Sequence, residues 1–84
     1  MQMEMEAMEA QARKFNEDLP VDIRRYLNER CIPDEIIERF QLGFDVQGKA
    51  ITIPIKNDAD AVIGFKFRRD PRRKNPTGPK YWFS

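Results

Sequence analysis

Residues 50–68 read AITIPIKNDADAVIGFKFR, and this segment predicts the central strands of the fold. Apolar side chains alternate with other residues in both of its halves, at Ile51, Ile53, Ile55, Ile63, Phe65 and Phe67. Alternation of this kind is typical of a strand that buries one face. The Asn57–Asp60 segment between the halves is rich in residues that favour turns. The stretch therefore predicts two antiparallel strands with one shared isoleucine and phenylalanine interior, and Pro54 predicts a sheet edge at that point.

Three helical segments precede these strands. In residues 1–16 the apolar side chains recur in steps of three and four, which is the spacing of one helix face: Met1, Met5, Met8, Ala12 and Phe15. Pro20 and Pro33 each suit the first turn of a further helix, and these two helices are predicted to form a hairpin over residues 20–42. Gly43 is predicted to cap the second of them.

After residue 68 the sequence predicts a loop and a last strand. Residues 69–79 read RDPRRKNPTGP, whose prolines and glycine favour an exposed, mobile loop. Residues 81–83 then predict a strand that runs to the last residue, so we expect a fragment of a larger protein. The predicted fold class is α+β, with about three N-terminal helices followed by a small antiparallel sheet over residues 44–84. We expect an N-terminal helix over residues 1–17 and a subdomain over residues 18–84.

Charge is distributed unevenly along the chain. The 15 Lys and Arg residues and 14 Asp and Glu residues leave a net charge of +1. Residues 65–84 nevertheless hold seven of the bases and a single acid, Asp70. A basic end on a domain of nearly balanced charge predicts that this end meets an anionic partner.

The basic end contains our candidate nucleic-acid-binding residues. They are the seven bases and one tryptophan of this region: Lys66, Arg68, Arg69, Arg72, Arg73, Lys74, Lys80 and Trp82. The pleat of a strand places Lys66 and Arg68 on the face opposite the core phenylalanines. Several bases on one track suit a phosphate backbone, and Trp82 offers a flat surface on which a base can stack. The alternative interpretation is a solvated loop with Trp82 in a core.

Composition excludes several other classes of site. The sequence has one cysteine and no histidine, which excludes an internal disulfide, a zinc site and a Ser-His or Cys-His nucleophile. Cys31 is predicted to be a buried structural thiol, and no catalytic or metal-binding residues are predicted. The helical hairpin could be a DNA-reading helix-turn-helix, but its second helix is net acidic. No segment is predicted to enter a membrane, and we expect a cytoplasmic protein.

Residues 26–44 read YLNERCIPDEIIERFQLGF, which resembles a helical hairpin of DnaG-type bacterial and phage DNA primases. In that family a pattern like YL-x-x-RGI-x-x-E-x-I-x-x-F-x-LGF leads into the catalytic core. The similarity continues through residues 53–55, 62–65 and Arg68, and it ends at Pro79-Lys80-Tyr81, so it covers about residues 21–83. Cys31 stands where the family has glycine, and Lys66 is an addition of this sequence.

The resemblance implies the N-terminal subdomain of the RNA-polymerase core, which precedes the TOPRIM domain. That subdomain forms one wall of a basic groove for single-stranded template and primer, and Arg68 and Lys80 match its basic residues. The implied partners are a DNA or DNA/RNA primer–template, the remaining domains of the parent primase and a replicative helicase. Mg or Mn would belong to a TOPRIM domain and Zn to a zinc ribbon, and neither segment is in this sequence. The fragment is therefore not expected to polymerise nucleotides alone.

Two questions stay open at this point. The parent could be a primase or a primase-helicase. The chain could instead be a protein-interaction module that uses the helix over residues 1–15 and the aromatic residues 81–83. A complete small enzyme is disfavoured because no acid, base, nucleophile or metal set is evident.

Overall fold

A computed structural model describes residues 2–73 and 78–83, with side chains from residue 6 onward. No helix in these ranges is long and apolar enough to cross a membrane. Helices come first and strands follow, which confirms the predicted α+β class. The elements are α1 (Gln2–Glu17), α2 (Val21–Glu29), α3 (Asp34–Arg39), β1 (Gly43–Asp45), β2 (Ala50–Lys56), β3 (Val62–Arg69) and β4 (Tyr81–Phe83).

The strands form one antiparallel sheet in the order β1-β2-β3-β4. The predicted Asn57–Asp60 turn joins β2 to β3, and the Asn57 side-chain oxygen accepts hydrogen bonds from the backbone N–H groups of Ala59 and Ala61. β1 pairs only with Ala50–Thr52 of β2. Pro54 therefore lies where β2 has no β1 neighbour, as expected for a residue without an N–H donor.

Both faces of the sheet are covered by helices, so the prediction of one shared interior is wrong. On the α1 face, Ala12 of helix α1 forms a buried cluster with four residues of the sheet: Ala50, Val62, Phe65 and Phe67. On the hairpin face, α2 and α3 contribute Ile23, Leu27 and Ile37 to a second buried cluster. Its other members are Leu42, Phe44 and Ile51. The register separates the two sets, since Ile51 lies opposite Arg68 and Thr52 lies opposite Phe67. Isoleucines of β2 and phenylalanines of β3 therefore point to different faces.

A bulge in β3 overturns the prediction that Ile63 belongs to the core. Ile55 pairs with Gly64 and Lys56 pairs with Val62, so Ile63 is an extra residue in β3. An extra residue reverses the alternation of side chains beyond it. Val62 is accordingly fully buried with the phenylalanines, whereas Ile63 is 51% exposed.

Both hairpin helices end in a residue with left-handed backbone conformation. Cys31 has φ of 68° after α2, and Gln41 has φ of 53° after α3. The next residue in each case donates its backbone N–H to a carbonyl five residues earlier, Ile32 to Leu27 and Leu42 to Ile37. This is the Schellman arrangement. The left-handed residue that completes the cap of α3 is therefore Gln41, directly after the C-cap residue Phe40, and not Gly43 as predicted. Cys31 is exposed rather than buried.

Gly43 has a different role, which is to let α1 approach the sheet. A Cβ atom on Gly43 would collide with the backbone of Phe15 and Asn16. The Asn16 side-chain nitrogen donates to the carbonyl oxygen of Leu42 at 2.8 Å, and the Val62 N–H donates to Glu9 Oε1 at 2.9 Å. Helix α1 is thus held to β1 and β3 by packing and by hydrogen bonds. Met1 and Met5 of the predicted apolar stripe lie outside the described side chains.

Candidate nucleic-acid interface

The β3–β4 end of the hairpin face carries bases and aromatic rings together. Arg68 lies opposite Tyr81 and Lys66 lies opposite Phe83 in the antiparallel register, so all four side chains project from this face. The Lys66 ammonium nitrogen is 4.7 Å from the centroid of the Tyr81 ring and 5.9 Å from that of Phe83. Tyr81 is 45% exposed and Phe83 is 67% exposed. This part of the sheet therefore presents cations on an accessible aromatic surface.

Helix α2 adds a second set of side chains beside Arg68. Tyr26 lies on α2 and Arg30 is the residue directly after this helix, and at a separation of four residues the two side chains lie on the same side. The Arg30 guanidinium carbon is 4.5 Å from the Tyr26 ring centroid, and that of Arg68 is 5.5 Å from it. The ring thus brings together two guanidinium groups that are distant in sequence. The sequence prediction of binding residues missed Tyr26 and Arg30, because a separation of four residues in a predicted helix also fits packing.

Two adjacent depressions meet at these side chains. The apolar groove has a volume of about 430 Å³, with a floor of Leu27, Ile32, Leu42, Ile51 and Ile53. The basic hollow has a volume of about 360 Å³, with Arg69, Asp70, Pro71 and Arg73 in its wall. The residues that line both depressions are Tyr26, Arg30, Arg68 and Lys80. The apolar groove and the basic hollow therefore share one border.

Cations dominate the lining of the basic hollow. Five Arg and Lys side chains line it, and Asp70 is its one carboxylate. Among the described residues, neither Lys66 nor Arg68 forms an ion pair with a carboxylate, and Arg68 instead donates to the carbonyl oxygen of Arg69 at 2.7 Å. The positive charge of this region is therefore available to an anion from outside the chain.

Asp70 anchors the start of the segment that follows β3. Its carboxylate is buried and accepts hydrogen bonds from the backbone N–H, Nε and Nη2 of Arg72, at 2.8–3.2 Å. Burial disfavours the charged carboxylate, but the hydrogen bonds and charge of Arg72 outweigh it, so the pKa of Asp70 lies below its usual value. Its backbone N–H also donates to the carbonyl of Lys49 at 3.0 Å. Asp70 thus fixes the backbone from which Arg69 and Arg73 reach the hollow.

The remaining predicted binding residues lie in several environments. Arg69 and Arg73 line the basic hollow, whereas the guanidinium of Arg72 is bound to Asp70. Trp82 lies on the α1 face, where its ring stacks on Phe67 with centroids 5.6 Å apart, so it is on the opposite side of the sheet from Lys66. Lys74 lies outside the described residues. Within the described ranges, no group of three or more acidic, cysteine or histidine side chains is placed to hold a metal ion.

The architecture is that of a helical hairpin and an additional helix packed on opposite faces of a four-stranded antiparallel sheet, and it matches part of a known enzyme core. No family model matches the sequence, and no curated protein does. Among solved structures, the chain is similar to the DnaG catalytic core, with a TM-score of 0.75 and 22% identity over 95% of this chain and 37% of that one. It is also similar to the E. coli primase catalytic core, with a TM-score of 0.73 and 22% identity over 94% of this chain and 37% of that one. The chain thus has the fold of about a third of a DnaG primase catalytic core, as the sequence resemblance predicted.

Proposed function

We propose that this chain binds single-stranded nucleic acid as the template-binding subdomain of a DNA primase or primase-helicase. In that protein it would precede a TOPRIM domain and form one wall of a groove for template and primer. The observation that carries the proposal is the joined apolar groove and basic hollow around Tyr26, Arg30 and Arg68. Its support from outside the chain is a fold that matches a primase catalytic core at a TM-score of 0.75.

The chemistry of the site suits a flexible polyanion. Each phosphate that a Lys or Arg neutralises releases condensed counterions, which favours binding and makes it sensitive to salt. Bases of an unpaired strand also expose their flat faces, and stacking on an aromatic ring contributes about 1–3 kcal/mol per base. Tyr81 and Phe83 are the accessible rings beside Lys66, so they take the stacking role first assigned to Trp82.

The proposed binding residues are the cations that border the two depressions or project beside them: Arg30, Lys66, Arg68, Arg69, Arg73 and Lys80. Arg72 has a structural role in this proposal, because its charge is matched by buried Asp70 and by Asp22 at 4.0 Å. The chain holds the strand, and nucleotidyl transfer with its metal ions is left to other parts of the parent protein. A replicative helicase remains a proposed partner of that parent.

A double charge reversal tests the proposal. We expect Lys66→Glu with Arg68→Glu to weaken binding of a short oligothymidylate by about tenfold or more in low salt, and to reduce the slope of log K against log salt by about 1.4. Fluorescence titrations at several salt concentrations measure both quantities, and circular dichroism checks the fold. Arg13→Glu with Lys14→Glu on α1 makes the same change of net charge away from the grooves and serves as the control. Unchanged affinity in the first variant, or an equal loss in the control, would contradict the proposal.

The alternative function, a partner-binding role for the N-terminal helix, has less support. Ala12 is fully buried, and the Phe15 ring meets the Phe65 ring edge-on with centroids 5.2 Å apart. The described part of the apolar stripe on α1 is therefore occupied by the chain's own sheet. We do not propose this function, although light scattering with and without residues 1–16 would detect an assembly that depends on the helix.

A further inference from the structure

The floor of the apolar groove is made of side chains that also build the hydrophobic core. Leu27, Leu42 and Ile51 are only 2–8% exposed, yet they line a depression of about 430 Å³. Ile32 and Ile53 complete the floor and are half-buried. Volumes of about 300–1,000 Å³ are typical of small-molecule sites. The groove is therefore large enough, and rigid enough at its base, to hold a flat organic group.

The rim of the same groove restricts what that group can be. It carries the cations Arg30, Arg68 and Lys80, and the residues that line the groove include no carboxylate. The basic hollow continues from these three residues and adds Arg69 and Arg73. The matching ligand has an apolar, flat part joined to an anion through a short linker. A nucleotide with its base in the groove and its phosphate at the hollow has this chemistry.

We infer that the apolar groove receives one unpaired base of the bound strand while the adjoining hollow holds the neighbouring phosphates. This inference rests on the proposed function and adds a second place, besides the exposed rings of Tyr81 and Phe83, where a base contributes to binding. The contact differs from stacking on an open ring because the floor consists of aliphatic side chains, with Tyr81 also among the residues that line the groove. Tyr26 forms the border between the two depressions and positions the guanidinium groups of Arg30 and Arg68 there.

A base site in the groove also determines whether the chain binds single-stranded or duplex DNA more tightly. A paired base is stacked inside the duplex and reaches such a groove only if it is extruded, at an energetic cost. A surface that recognises charge alone favours duplex DNA, which has the higher charge density and the steeper counterion release. A site that binds an unpaired base favours the single strand instead. We therefore expect the chain to bind a single strand more tightly than a duplex of the same length.

The decisive experiment compares oligothymidylate with an abasic strand of the same length and charge. We expect the abasic strand to bind about tenfold or more weakly at equal salt, which corresponds to about 1.4 kcal/mol, and to show the same salt slope. A duplex of the same length should also bind more weakly than oligothymidylate. Equal affinity for intact and abasic strands, or preferred binding of the duplex, would overturn the inference.

A pair of variants locates the effect in the groove. Ile53→Lys fills the groove and adds a positive charge, so an account based on charge alone predicts tighter binding of both strands. We expect instead that it lowers the ratio of intact to abasic affinity severalfold and leaves only the part that comes from stacking on Tyr81 and Phe83. Ile63→Lys makes the same substitution at an exposed bulge residue away from the groove and should leave the ratio unchanged. A ratio in Ile53→Lys equal to that of the unmodified chain would contradict the assignment to this groove.

The outcomes separate this inference from the proposed function. If neither strand binds at any salt concentration, the proposed function fails, and the inference fails with it. If both strands bind equally and the Lys66→Glu with Arg68→Glu variant loses both, binding through the phosphates stands, and both the base site and the stacking on Tyr81 and Phe83 are refuted. If an acidic, apolar peptide displaces oligothymidylate while the abasic strand binds as well as the intact one, the groove is a protein-docking site, and the base site is again refuted.

Discussion

The two faces of the sheet are built from the same strands but have different compositions. On the α1 face, Phe15, Phe65, Phe67 and Trp82 form a continuous aromatic cluster, with ring centroids 5.2–6.3 Å apart between neighbours. On the hairpin face, the helices cover Ile51, whereas Lys66 and Arg68 remain partly exposed. One face is closed by its helix and the other is closed over only part of its width.

In this small domain, the residues of the core and those of the proposed interface lie on opposite faces of the same strand. Successive residues of β3 alternate between the faces, so Phe65 and Phe67 serve the core while Lys66 and Arg68 serve the proposed interface. Substitutions at neighbouring positions of one strand should therefore affect different properties. On the α1 face they should change stability, and at the β3–β4 end of the hairpin face they should change affinity.

The largest effect on stability is expected from Phe67→Ala on the α1 face. Phe67 is 8% exposed and contacts three other aromatic rings. Removing it should lower the free energy of unfolding by about 3–5 kcal/mol, which is enough to unfold a domain of this size. Phe83→Ala, at a position that is 67% exposed, is the control and should cost less than about 0.5 kcal/mol. Urea unfolding measures both, and equal losses would break the distinction between the faces.

A smaller loss is expected from Asp70→Asn, which removes the buried partner of Arg72. Because the arginine remains partly exposed to solvent, we expect a loss of about 1–3 kcal/mol. Oligonucleotide affinity should also fall, because Arg69 and Arg73 lose their fixed backbone, even though the substitution makes the chain more positive. An account based on net charge predicts tighter binding, so increased affinity in this variant would refute the positioning role of Asp70.

The same carboxylate gives a pH dependence with a definite sign. The pKa of Asp70 is lower in the folded chain than its unfolded value of about 3.9. Its contribution to stability is therefore fully present above pH of about 4 and is lost as pH falls towards the folded pKa. Thermal unfolding of the unmodified chain should show this loss, and Asp70→Asn should lack it. Parallel acid profiles for the two chains would contradict the prediction.

The smallest effect is expected at Thr52, a buried polar residue on the α1 face. Thr52 is fully buried, and its hydroxyl oxygen has no hydrogen-bond partner in the described structure. Thr52→Val removes the unpaired hydroxyl at nearly constant volume and should stabilise the chain by about 1 kcal/mol. Thr52→Ser keeps the hydroxyl and loses a methyl group, so it should destabilise by about 1 kcal/mol. Denaturant unfolding compares the two, and a destabilising valine would indicate that the hydroxyl is satisfied.

The sequence was sufficient to predict the order of helices and strands and the residues on one face of β3. Alternation predicted the strand pair, and the pleat correctly placed Lys66 and Arg68 opposite Phe65 and Phe67. The burial of both faces was missed because Ala50 and Thr52 are small residues that also suit a solvent-exposed strand face. Only the packing of α1 on the sheet buries them. The bulge at Ile63 has no local signal beyond Gly64.

The candidate site was less predictable than the fold. Tyr26 and Arg30 meet Arg68 only through the packing of α2 on the sheet, across a long separation in sequence. The side of the sheet on which Trp82 lies depends on its register with Phe67. The ion pair of Arg72 could have been predicted from the sequence, because Asp70 is the one acid within a run of bases.

In the proposed function, one face of the sheet binds a nucleic-acid strand while the other only supports the fold. Backbone amide chemical shifts, recorded by NMR during a titration with oligothymidylate, test it residue by residue. We predict saturable shifts at Tyr26, Arg30, Ile53, Arg68 and Tyr81, with little change at Ala12 and within α1. Shifts concentrated on α1, or no shifts at a large excess of oligothymidylate, would contradict it.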